Sequence, residues 1–286
     1  MKKVTVLLSV MLFVAFITNA QEELKNKQGV PILPAAGDYA LGIDATPVFN
    51  FFGNFVKINS AVAFNDPSSW NFVNTNNAIF AKYFVDAKTA YRANIRIGLT
   101  STTDKEYVMQ DGQSDPLVTV EDKAKIGNTN IILGLGMEKR RGVSRLQGFY
   151  GAEAQILFAG SSKKYTYGNA FSSSNTTPTM TNFDAADPNV LGASARITKS
   201  KSGSTIGLGV RAFAGVEYFI APKFSVGGEF GWGLTIATQG DGKLTTEAWD
   251  FANSTVKTTE TKTGGGGYMG FDTDNFGGCI YMMFHF

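Results

Sequence analysis

FGGCIYMMFHF, residues 276 to 286, decides the reading of this chain. Phe276, Gly278, Ile280, Met282, Phe284 and Phe286 share one face, while Gly277, Cys279, Tyr281, Met283 and His285 share the other. A side-chain period of two is that of an extended strand, and it persists here to the last residue. Strands of an outer-membrane β-barrel alternate in this way because one face meets lipid and the other the lumen.

Phe286, with a second aromatic at Phe284, also looks like the C-terminal signal that the outer-membrane assembly machinery reads, and these two residues are the expected assembly signal. The front of the chain points to the same compartment. Lys2 and Lys3 form a charged n-region, Val4 to Ile17 an apolar h-region, and Thr18-Asn19-Ala20 ends on the small residue that signal peptidase favours. The expected organisation is therefore a cleaved signal peptide at 1–20, a short periplasmic segment at 21–37 and an outer-membrane barrel at 38–286. An uncleaved anchor would need about 20 apolar residues, more than the h-region has. Lipid attachment would need a cysteine at the cleavage point, and the single cysteine is Cys279.

Residues 1–20 hold two of the 26 basic residues and none of the 24 acidic ones, leaving 24 of each in the mature chain. A mature charge near zero gives no support to nucleic-acid binding, which needs a basic patch or stripe. One cysteine cannot form an intramolecular disulfide. The 13% aromatic content and 32 glycines suit a barrel better than a helical membrane protein.

Alternation marks eight strands. The third is clear, with Tyr91, Ala93, Ile95, Ile97 and Leu99 outward and Arg92, Asn94, Arg96, Gly98 and Thr100 inward. Others run near Tyr39 to Thr46, Ala78 to Val85, Ile131 to Met137, Leu146 to Phe158, Ile206 to Tyr218 and Phe224 to Ile236, before the C-terminal strand. Aromatics at strand ends, among them Tyr39, Tyr91, Tyr150, Tyr218 and Phe224, fit an interfacial girdle. Connections at Asp86 to Lys88, Arg140 to Ser144 and Ile220 to Pro222 are tight, whereas 50–77, 102–125, 160–203 and 240–270 are long and polar. Short periplasmic turns, long external loops and an even strand count are the rule for such barrels.

The first long connection has two readings. Val56, Ile58, Val62 and Phe64 alternate as a strand, yet Val48, Phe49, Phe51, Phe52, Phe55 and Val56 fit one face of a short helix. A ninth strand would put the ends on opposite sides of the membrane, and 161–203 offers no tenth. The expected fold class is all-β, a transmembrane antiparallel eight-stranded outer-membrane β-barrel with four long external loops, the first partly helical.

This architecture is similar to the small OmpA and OmpX type barrels. ATPVFNFFGNF (45–55) followed by NAIFAKYFVDAKTAYRANIRIGLTS (77–101) resembles a Bacteroidetes family of outer-membrane β-barrel proteins, the specific wording covering the first third of the mature chain. The resemblance implies a barrel whose relatives mostly carry no assigned activity. The chain departs from full-length OmpA in having no peptidoglycan-binding domain after the final strand.

By alternation the ionisable residues facing the lumen are Asp44, Lys82, Arg92, Arg96, Glu138, Glu153, Arg211, Glu217, Glu229 and His285. Counting from the short turns places Arg96, Glu153, Arg211 and Glu229 at mid-barrel height and Lys82, Arg92, Glu138 and Glu217 lower. Eight strands enclose little more than side chains. Buried charges persist only when paired, so a packed ion-pair network is expected, with a narrow gated channel as the alternative.

Eight-stranded barrels also include lipid A palmitoyl transferases and deacylases, which use a histidine with a serine and an acid near the outer leaflet. The only histidine here, His285, belongs at the opposite end, out of hydrogen-bond reach of a loop serine. Gly134-Leu-Gly136 and Gly207-Leu-Gly209 lie inside strands with no helix following, unlike dinucleotide loops. Asp272-Thr-Asp274-Asn275 lacks the remaining calcium-loop spacing, and Cys279 reads as a small inward residue. The acidic stretch 102–125 reads as a solvated charged loop.

No catalytic, cofactor or metal site is therefore expected. The reading is a non-enzymatic, monomeric outer-membrane protein with a structural or surface-binding role carried by its external loops. Its partners would be outer-membrane lipid and lipopolysaccharide, the assembly machinery, and neighbours in a larger envelope complex.

Overall fold

The computed structural model describes residues 24–45, 79–142, 144–183, 195–273 and 279–286. The expected signal peptide, both readings of 48–64 and the start of the last strand at 276–278 lie outside the described residues.

The described chain is all-β, with twelve strands in one antiparallel sheet. They are β1 (Tyr39–Asp44), β2 (Ile79–Asp86), β3 (Thr89–Met109), β4 (Thr119–Arg141), β5 (Leu146–Thr166), β6 (Ala195–Lys201), β7 (Thr205–Ala221), β8 (Phe224–Gln239), β9 (Gly242–Asp250), β10 (Thr255–Thr263), β11 (Gly266–Thr273) and β12 (Cys279–His285). Eight of them pair in a closed ring, in the order β1, β2, β3, β4, β5, β7, β8, β12 and back to β1. Closure leaves these strands no open edge at the turn end. The seam is finished by the terminal residue, since the Phe286 amide donates to the Tyr39 carbonyl at 2.8 Å. No helix among the described residues is long and apolar enough to cross a membrane, which says nothing of strands.

Alternation sorts the ring's side chains into two environments. Outward positions are apolar and open to the surroundings, with Ile97 66%, Leu135 70% and Leu208 65% exposed. Inward positions are buried, and Phe80, Phe84, Phe149, Phe213, Tyr281 and Met283 form one cluster with Ala40 and Ala90. Two inward glycines make room for these rings. A Cβ on Gly215 would collide with the ring of Phe149, and one on Gly227 with the ring of Tyr281. Each aromatic thus lies over a neighbouring strand's backbone, a close approach that only glycine permits.

The segments expected as long loops are largely strand. β3 and β4 stay paired without a register break from Thr89↔Lys139 to Met109↔Thr119, so only 110–118 remains of the expected loop 102–125. The 160–203 segment contains the end of β5 and all of β6, and 240–270 contains β9, β10 and most of β11. β6 pairs with β5 and β9, and β9 with β10, so the strands rise well beyond the ring. The β6–β7, β8–β9 and β10–β11 breaks at 202–204, 240–241 and 264–265 all contain glycine and fall at neighbouring register positions. They read as three long strands interrupted at one level.

The short turns hold. β2 and β3 are joined by Ala87 and Lys88, β7 and β8 by Pro222 and Lys223, and β4 and β5 by 142–145. Arg140, expected in a turn, is instead inside β4 and 1% exposed.

Candidate functional site: a charge network inside the ring

The interior charges form two linked, internally balanced groups. Nearer the short turns, Lys82 Nζ lies 3.0 Å from Glu138 Oε1 and 3.3 Å from Glu217 Oε2. Arg140 Nη1 lies 3.1 Å from Glu138 Oε1 and 2.9 Å from Glu217 Oε2. Two cations therefore face two carboxylates, on β2, β4 and β7. Above them, Arg92 grips Glu229 with both terminal nitrogens at 2.9 and 3.0 Å, a two-pronged geometry that fixes both planes. Arg211 Nη1 bridges Glu153 at 3.2 Å and Glu229 at 2.9 Å. Arg92 Nε stands 3.2 Å from Glu153 Oε2, close enough to pair but not aligned for a hydrogen bond. Arg92 and Glu138, 3.8 Å apart, connect the two groups.

Aromatic rings line the same space. Lys82 Nζ is 4.7 Å from the centre of Phe149, the Arg92 guanidinium 4.0 Å from that of Phe213, and the Arg140 guanidinium 5.3 Å from that of Phe84. Ring faces carry partial negative charge, so each cation meets favourable electrostatics even where no carboxylate reaches. The rings and the ion pairs are buried together near the short turns.

Three sequence expectations need correction in detail. Arg92, expected in the lower group, occupies the upper one, and Arg96, expected there, is half-buried and makes no ion pair among the described residues. Strands tilt in a closed sheet, so counting residues from a turn overestimates the height of some positions. Arg140, where the expected tight connection begins, is an inward residue of β4, as the strand's alternation carried two residues past Glu138 implies. Asp44 is buried on β1, opposite Tyr281 of β12. The side chain of Cys279 lies outside the described residues.

His285 joins the lower group. Its Nε2 is 3.0 Å from Ser225 Oγ and 3.2 Å from Glu217 Oε1, and the Ser225 hydroxyl donates to the same Glu217 oxygen. A serine, a histidine and an acid are thus together, but not as a hydrolytic triad. A triad places the acid on one imidazole nitrogen and the hydroxyl on the other. Here Nε2 faces both, and Nδ1 is buried with no hydrogen-bond partner among the described residues. Ser225 is wholly buried, so no substrate carbonyl reaches it. Among the described residues, no cluster of His, Cys, Asp or Glu is arranged to hold a metal ion.

A second organised region lies on the extensions beyond the ring. Asp122 is fully buried on β4, accepting from the amides of Gly168 at 2.8 Å and Thr181 at 2.7 Å. Asp111 accepts from the Thr179 amide at 2.9 Å and the Asn175 side chain at 2.7 Å. Burial pushes the Asp111 carboxyl up, but the Thr179 and Asn175 hydrogen bonds outweigh it and leave the group below its ordinary value. Arg196 on β6 donates to the Asn169 carbonyl at 2.7 Å and to Glu247 at 2.6 Å, between the rings of Tyr167 and Phe171. The acidic stretch is thus only partly solvated. Glu121 is on its wet face, where hydrogen bonds from Lys123 and Lys105 hold its carboxyl at about 2.

A scan against protein-family models matches none of them, and no curated protein matches the chain.

Proposed function

We propose that this chain is an eight-stranded outer-membrane β-barrel of the OmpA and OmpX type, exported by a cleaved signal peptide, with a non-enzymatic structural or surface-binding role. The observation that carries the reading is the inversion of the ring. Its outside is a belt of exposed Leu, Ile, Val and aromatic side chains, and its inside is a set of paired charges. A soluble protein rarely exposes so continuous an apolar surface. A bilayer explains it, because lipid covers the outside while ring closure satisfies every interior strand.

Tyr39, Tyr91, Tyr150, Tyr218 and Phe286 are exposed near the short turns, where aromatic girdles sit at a membrane interface. The short turns and both chain ends then face the periplasm, and the extended strands face outward. The Asp111, Asp122 and Arg196 anchors support a preorganised surface there, which favours binding with little ordering cost. The interior contains Phe84 and Phe219, both wholly buried, across the periplasmic end, which favours a plugged barrel over a channel.

Refolding into lipid vesicles tests the reading. Heat-modifiable migration in gels and protection of the ring strands from protease are the expected results. A chain that stays in the aqueous fraction, fully digestible, would refute it.

A further inference from the structure

We infer that the short-turn rim contains a binding site for an anionic phospholipid headgroup, on the outside of the barrel at the β2–β3 and β4–β5 turns. The inference rests on the membrane reading above. The site is a groove of about 550 Å³ built from Asp86, Lys88, Thr89, Lys139, Arg141 and Tyr150.

Local structure explains why the cations gather there. Outward parity along β4 passes from Leu135 and Met137 to Lys139 and Arg141, so the apolar stripe ends abruptly in two positive charges. Lys139 is registered with Thr89 on β3 and with Tyr150 on β5, which places it between the two turns. Its ammonium donates to Thr89 Oγ1 at 2.8 Å, leaving two N–H donors for a ligand. Lys88 and Arg141 are exposed and make no ion pair among the described residues. Asp86 is the one acid in the groove, and its Oδ1 already accepts from the Lys88 amide at 2.6 Å. The groove thus offers three exposed cations, beside the buried and already paired Arg140, against one internally engaged carboxylate.

What lies beside the groove identifies the occupant. One outward position further from the turns, Tyr91 and Met137 are paired and exposed, continuous with the apolar belt. A ligand filling the groove meets cations at one end and an apolar wall at the other. A phosphodiester headgroup with acyl chains has that polarity; free phosphate or a soluble acidic peptide does not use the wall. Basic residues next to a membrane favour anionic lipid by about fivefold each, and Arg141 adds planar, two-pronged phosphate recognition.

The experiment refolds the full chain into phosphatidylcholine vesicles with and without phosphatidylglycerol, then counts retained lipids by native mass spectrometry after gentle detergent extraction. Selective retention of phosphatidylglycerol is expected, with a loss of about thirtyfold in K139Q/R141Q and about fivefold in R141Q alone. K105Q/K123Q, at the far end of β3 and β4, should retain it as the parent does. Equal retention of both lipids, or retention unchanged in K139Q/R141Q, would overturn the site while leaving the barrel standing. Equal thermal stabilisation by inorganic phosphate in lipid-free micelles would also overturn it. Failure to insert into either vesicle overturns the membrane reading and this site with it.

Discussion

Glu217→Gln removes one charge from the most enclosed part of the network while keeping shape and one acceptor oxygen. Glu217 is fully buried and faces Arg140 at 2.9 Å and Lys82 at 3.3 Å. With an effective dielectric of about 20, those separations correspond to about 6 and 5 kcal/mol of attraction. The amide escapes the carboxylate's desolvation penalty, which offsets much of that, and the remaining cost is the two cations left with only Glu138. A net loss of about 3 to 5 kcal/mol is expected, less if water enters. The assay is equilibrium unfolding by guanidinium of the protein folded in detergent or vesicles. Glu217→Gln/Arg140→Gln restores neutrality and should recover at least about 1 kcal/mol of the summed single losses. A single variant within about 0.5 kcal/mol of the parent, or strictly additive losses, would refute the claim that these charges hold one another.

In the upper group, Glu153→Gln should destabilise and Arg211→Gln should partly rescue it, since Arg211 contacts Glu153 and Glu229 alike. The parent protein should stay electrically silent in a planar bilayer, and steady ion-selective conductance would favour a channel over a plug. Phe286→Ala leaves the backbone bonds to Tyr39 intact, so a disproportionate drop in folded yield in cells, with normal refolding in vitro, would assign the residue to recognition by the assembly machinery. Asp111 has a lowered folded value, so its contribution is present above the ordinary carboxylate range and is lost as pH falls through the folded value. The protection factor of the Thr179 amide, the unprotected exchange rate divided by the observed rate at the same pH, should therefore fall below about pH 4, and Asp111→Ala should show the low protection at neutral pH.

Legibility in the sequence followed the solvents. Where a strand has an exposed apolar face outside and a packed interior inside, as at Tyr91 to Leu99, two environments impose two residue classes and alternation reports the strand. Thr102 to Met109 lie beyond that zone, with exposure on both faces, and their polar sequence TTDKEYVM gives no period although pairing with β4 continues. The same holds for β10, whose TVKTTETKT is exposed at every position. Backbone pairing runs unbroken through these extensions, and it leaves no mark on side-chain polarity. Glu153 and Arg211 were readable as inward and are directly registered neighbours. Arg92's grip on Glu229 was not, because it spans the ring interior between β3 and β8, where tilt and side-chain length decide who meets whom. Asp111 and Asp122 were visible only as acidic residues, since the amides that hold them come from a segment about 60 positions away that carries no motif.

Membrane topology tests the central claim most directly. With Cys279 replaced by alanine, single cysteines at Lys88, Gly142, Ser173 and Asn253 are exposed to a membrane-impermeant thiol reagent in intact cells. The account predicts labelling at Ser173 and Asn253, with Lys88 and Gly142 reacting only after the outer membrane is permeabilised. Labelling of Gly142 with protection of Ser173, or equal labelling of all four in a soluble fraction, would contradict it.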